Sequence, residues 1–123
     1  MWGKTVDPKT VSEILGMTPY KIKNVGELGE YTRKPNTVAS WTYRTEEKET
    51  EDISEQLEDL RFVFEEKSEN LNKIRRLFAD CTIDVCIVLY NHQKILPGFS
   101  INSRQLSFLA NIGVNLDFDI YNK

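Results

Sequence analysis

Apolar residues recur along this chain with two periods, and the alternation between those periods divides it into helices and strands. Val11, Ile14 and Leu15 fall on one helical face. Asp7 stands before them as an N-cap, Pro8 suits the first helical position, and Val6 with Val11 forms a hydrophobic staple. Gly16 supplies the stop, and Thr18-Pro19 enforces an extended exit. The stretch 20–35, broken by Gly26, Gly29 and Pro35, reads as a short strand plus a loop. From Val38 to Thr45, Ala39, Trp41 and Tyr43 alternate with Ser40, Thr42 and Arg44, the period of a half-buried strand.

The longest helix starts at Asp52 with Glu55 in the capping-box position, and Ile53, Leu57, Leu60 and Phe64 keep the 3.6-residue period. Leu71, Ile74 and Phe78 resume it after the polar interval 65–70, so a kink or short loop is expected there. Cys81 to Tyr90 is the strongest strand, with Ile83, Val85, Ile87 and Leu89 on one face. Cys86 and Val88 on the other predict a central strand partly covered on both sides. Turns are expected at residues 91–94 and 96–99. Asn102 then caps a third helix, with Gln105 in the box position, an Ile101–Leu106 staple and Gly113 as its end. Val114, Leu116, Phe118 and Ile120 alternate with Asn115, Asp117, Asp119 and Tyr121, a final strand with one wet face. The segment Val6–Ser12 matches Ile101–Ser107 in cap, staple and register. Two such helices, each followed by an extended segment, predict an α+β fold: a pseudo-symmetric, ferredoxin-like-related two-layer sandwich with helices on a mostly antiparallel sheet. Its core should gather Trp41, Leu57, Leu60, Phe64, Ile83, Val85, Ile87, Phe118 and Ile120.

Composition adds limits. With 123 residues, 40% hydrophobic and 28% charged, one domain over 1–123 is expected, and disordered or low-complexity chains are excluded. The longest apolar run, Val85–Tyr90, is far short of the about 20 residues a membrane span needs, and residues 1–25 hold no secretory h-region. Cys81 and Cys86 lie five apart in a strand, about 16 Å, beyond disulfide reach, which points to a reduced, cytoplasmic setting.

Charge is uneven. Residues 1–44 carry seven bases and four acids, whereas 45–69 carry eleven acids and three bases. Acids gather at helix N-termini because the macrodipole favours them, but that effect fades beyond the first turn. Glu46, Glu47, Glu49 and Glu51 precede the cap at Asp52, so they are the candidate contact residues for a basic partner protein.

Taken together, Val6-Asp7-Pro8, Ile14-Leu15-Gly16-Met17-Thr18-Pro19, Ser40-Trp41, Gly98-Phe99-Ser100-Ile101 and Asp117-Phe118-Asp119-Ile120-Tyr121 resemble the bacterial domain-of-unknown-function family 4279. The resemblance covers nearly the whole chain and implies a small bacterial α+β domain without assigned activity. Family members usually carry a strand before the first helix. Here six residues precede Asp7, so that strand is expected to be missing, or the recorded start to lie inside the natural chain. A bare edge would then invite strand pairing between copies.

Catalytic signals are thin, and no activity or cofactor is expected. His92, the sole histidine, falls in a turn, and no phosphate-cradling glycine motif occurs. Asp117 and Asp119 share a strand face about 7 Å apart, and Asp84 could join them to hold a hard cation for metal-assisted hydrolysis. A solvated edge explains the three better, so no metal is expected. Tyr20, Lys21, Lys23, Tyr31, Arg33, Lys34, Trp41, Tyr43 and Arg44 interleave bases with aromatics in the manner of a nucleic-acid surface. The acidic balance argues against that. The reading favoured is a non-enzymatic protein-binding module, immunity-type or regulatory.

Overall fold

The computed structural model describes residues 1–47, 52–91 and 98–122. The expected turns at 91–94 and 96–99, with His92, lie largely outside them, as do Glu49 and Glu51. Helices and strands are mixed, and contacts divide the chain into two compact units: residues 1–44 with 67–83, and residues 45–66 with 84–123.

The first unit is built on an antiparallel sheet of β1 (Trp2–Gly3), β3 (Ala39–Thr42) and β2 (Lys21–Lys23), in that order across the sheet. α1 (Pro8–Leu15) packs against β3 and against α3 (Ser68–Leu77). The start of α1 is as the sequence predicts: the Asp7 carboxylate accepts from the Lys9 N–H and the Thr10 hydroxyl. Its end uses Gly16 at φ 63°, a left-handed conformation that costs glycine little. Two carbonyls left over at that end are capped from α3 and the residue before it, Ile14 O by Asn70 Nδ2 (2.8 Å) and Leu15 O by Lys67 Nζ (3.1 Å). Val11, Leu15, Ala39, Trp41, Leu71 and Ile74 are buried here, and the Trp41 indole N–H donates to Ser12 Oγ at 3.0 Å.

A strand does precede the first helix, so of the two expected alternatives the missing strand does not hold. β1 is only two residues long, but Trp2 and Thr82 exchange both backbone hydrogen bonds at 2.9 Å, and the Met1 ammonium donates to Trp41 O. So β1 has a neighbour on each side. Its path is pinned by Asp80, whose carboxylate accepts from the Lys4 and Thr5 N–H groups and the Thr5 hydroxyl. Those bonds hold the Asp80 carboxyl below its ordinary pKa, the Thr5 hydroxyl contributing most. Gly3 permits the approach: a Cβ there would stand 2.9 Å from Asp80 O.

The second unit holds α2 (Ile53–Phe64), β4 (Asp84–Asn91), α4 (Ser103–Ile112) and β5 (Asn115–Asn122). A 3-10 turn over Glu65–Lys67 ends the long helical stretch, where the polar interval predicts a break. α2 packs on α4 and β4. Asp52 and Asn102 cap their helices as expected, the second with a complete capping box.

The expectation of a mostly antiparallel sheet holds for β1–β3–β2 and fails for the two longest strands. β4 and β5 pair in parallel over eight register positions, because α4 returns the chain to the end where β4 began. The expected core also divides: Trp41 and Ile83 belong to the first unit, the other seven residues to the second. Leu60, Val85, Phe118 and Ile120 are half-buried. The echo between α1 and α4 extends to their C-caps, Gly113 standing at φ 62°. It stops at the strands, since β3 lies between β1 and β2 whereas β4 and β5 are neighbours.

Candidate functional site

The parallel register sets side chains of β4 and β5 in rows. On one face, Val85–Leu116, Ile87–Phe118 and Leu89–Ile120 are buried or half-buried. On the other, Asp84–Asn115, Cys86–Asp117, Val88–Asp119 and Tyr90–Tyr121 form four rows, all exposed. The wet face expected of the last strand is therefore present. Cys86 and Val88, expected to be partly covered, belong to these exposed rows, Val88 at 39% exposure.

This face combines three carboxylates with an aromatic pair. The Tyr90 and Tyr121 rings stack with centroids 5.6 Å apart and planes inclined by 26°. Asn115 Nδ2 donates to Asp84 Oδ1 at 3.0 Å, and Cys86 Sγ donates to Asp119 Oδ2 at 3.4 Å. The Cys86 thiol is pushed up, first by partial desolvation and then by the hydrogen bond to Asp119 and the charges of Asp119 and Asp117. It stays protonated at neutral pH and is a poor nucleophile. Cys81 is raised as well, chiefly by burial, and neither cysteine forms a disulfide.

Asp84, Asp117 and Asp119 share the face, as the metal reading requires. Among the described residues, however, no group of three or more His, Cys, Asp or Glu side chains is placed to hold a metal ion. Spacing along and across the strands accounts for this, since next-but-one residues stand about 7 Å apart.

The acids of α2 are partly committed to the fold. Glu58 Oε2 receives Arg61 Nη2 at 2.6 Å, and Glu65 receives Nη1 of the same guanidinium. Glu58 is held below its ordinary pKa by Arg61 first and Gln105 second. Gln105 is wholly buried; its amide donates to Ser54 O, Ser54 Oγ and Glu58 Oε1, while its oxygen accepts from the Asn102 N–H. Sequence reasoning saw only its capping role. Its place one helical turn before Phe108 and Leu109 was the signal that it faces α2. Glu46 and Glu47, by contrast, are exposed and precede the helix.

In the first unit, the aromatic and basic residues read together from sequence separate. Trp41 is core, and Tyr43 is half-buried. Tyr20, Lys21, Lys23, Tyr31, Arg33, Lys34 and Arg44 are exposed. The Arg44 guanidinium lies 5.0 Å over the Tyr20 ring, and Lys21 Nζ meets Glu30 at 3.1 Å.

Over the full chain, residues 1–123, the sequence matches the model of a family described as a domain of unknown function, DUF4279. No curated protein and no solved structure matches it. Among the described residues no helix is long and apolar enough to cross a membrane.

Proposed function

We propose that this chain, which belongs to the DUF4279 family, is a non-enzymatic protein-binding module of immunity or regulatory type that recognises a basic protein surface. The observation that carries the reading is the exposed β4–β5 face, where Asp84, Asp117 and Asp119 stand in successive rows that end on a stacked tyrosine pair. Stacked tyrosines offer rigid contact area at little entropic cost, and arginine packs well on their faces. Carboxylates on the same face favour cationic partners and speed encounter. The unit holding this face has thirteen acids and five bases, Glu46, Glu47, Glu49 and Glu51 among the acids, so its field extends the same preference. A pseudo-symmetric, ferredoxin-like-related sandwich belongs to the same proposal, supported by the matching caps of α1 and α4 and not by the strand order.

The test is recovery of partners from the native cell lysate at low salt. Wild type is compared with Asp117→Lys/Asp119→Lys and with Glu46→Lys/Glu47→Lys/Glu49→Lys. Both variants should fold, and association with the recovered partner should slow by about tenfold, the gap closing as salt rises. Equal recovery of the same proteins by all three would contradict the proposal.

A further inference from the structure

The sheet of the first unit has an uncovered face with the opposite chemistry. Register places Trp2, Ser40 and Lys23 directly across from one another on β1, β3 and β2, a row spanning about 10 Å. The segment 32–38 stands beside this row, and together they line an open groove of Trp2, Lys23, Lys34, Ser40, Thr32 and Thr37, with Pro35, Asn36 and Val38 along its wall.

Three features distinguish this groove from an ordinary surface dip. First, its wall is held in place. Gly26 N donates to Asn36 O, Asn36 N to Glu27 O, Gly29 N to Lys34 O, and Asn36 Nδ2 to Asn24 O. Arg33 sits at φ 52°, left-handed and unusual for a residue with a Cβ, so the hydrogen bonds around it maintain a conformation the chain would not adopt by itself. Second, the lining contains two lysines and no carboxylate. Of the acids in the neighbouring loop, Glu30 engages Lys21 and Glu27 accepts from Asn24 Nδ2. Third, Trp2, 41% exposed, stands at one end of the row and Lys23 at the other, with Ser40 between them. Around them, the unit carries eleven bases against six acids.

From this arrangement we infer that the groove binds a nucleoside phosphate, its base against the Trp2 indole and its phosphates between Lys23 and Lys34. A planar base gains from stacking on an indole face, and a phosphate group gains from two ammonium groups with no competing carboxylate. The threonine and serine hydroxyls supply donors and acceptors for the sugar and the phosphate oxygens. This site is separate from the β4–β5 face and stands or falls independently of the protein-binding reading.

The experiment is calorimetry on the full chain at low salt, with ATP, adenosine, inorganic pyrophosphate and an unstructured single-stranded oligonucleotide as probes. ATP should bind, more tightly than pyrophosphate and more tightly than adenosine, because only ATP offers both ends. Lys23→Gln/Lys34→Gln should weaken ATP and pyrophosphate by about tenfold and leave adenosine unchanged, with unfolding temperature unaltered since both side chains are exposed. Trp2→Phe, which retains a ring in β1, should weaken ATP while sparing pyrophosphate. The proposal is overturned if ATP binds no better than adenosine, if pyrophosphate matches ATP, or if the lysine variant binds ATP as wild type does. Binding of the oligonucleotide without binding of ATP would likewise overturn it, in favour of a nucleic-acid surface.

Discussion

Two uncovered sheet faces in one small chain carry opposite chemistry. The face of β1–β3–β2 presents Trp2, Lys21, Lys23, Ser40 and Thr42; that of β4–β5 presents Asp84, Asp117, Asp119 and a tyrosine stack. Both arise from the same rule, that alternate residues of a strand point to opposite sides. What differs is how each is finished. The cationic face is walled by a hydrogen-bonded segment and becomes a groove, suited to a small ligand. The acidic face has four exposed rows, which on the proposed reading meet another protein surface. On the two proposals made above, two short sheets would serve distinct recognition chemistry.

The contrast breaks most completely if the covered side of either sheet is lost. Trp41→Ala removes a buried indole and its hydrogen bond to Ser12, and should cost about 3–5 kcal/mol. Ile87→Ala, on the inner side of β4, should cost about 2–5 kcal/mol. Denaturant unfolding followed by far-ultraviolet circular dichroism measures both. Gln105→Ala tests the polar link between α4 and α2. It strips the Asn102 N–H and the Ser54 groups of their partner and should cost about 1–3 kcal/mol by the same assay.

Acid sharpens the difference between a structural carboxylate and a surface one. Asp80 has a folded-state pKa below its unfolded value, so its contribution is complete above the unfolded pKa and is lost as pH falls through the folded one. Wild type should therefore lose melting temperature below about pH 4. Asp80→Asn should start lower at neutral pH and show a shallower acid decline. Asp117→Asn/Asp119→Asn should have the smallest effect on stability, within about 0.5 kcal/mol, because these acids face solvent.

How far the sequence reveals this depends on the range of each interaction. Asp7, Asp52, Asn102, Gly16 and Gly113 were legible because a cap is completed within a few residues. The wet face of Asp117, Asp119 and Tyr121 was legible because a two-residue period declares it. The parallel pairing of β4 with β5 was not, since register between segments thirty residues apart leaves no local trace. Asp80 was missed for the same reason: its partners Lys4 and Thr5 lie more than seventy residues away. The groove drew on Trp2, Lys23 and Ser40, brought into one row by three short strands whose order no periodicity records. Lys23 and Lys34 were noticed as bases, but grouped with Trp41, which belongs to the core.

The most direct measurement is an amide chemical-shift titration of the uniformly nitrogen-15-labelled full chain with two probes in separate experiments, ATP and an arginine-rich peptide. ATP is expected to move the amides of Trp2, Lys23, Lys34 and Ser40 and to leave β4 and β5 still. The peptide is expected to move Cys86, Asp117, Asp119 and Tyr121 and to leave the groove still. Two probes moving one common set of amides, or a peptide that leaves the β4–β5 rows unchanged, would contradict the account.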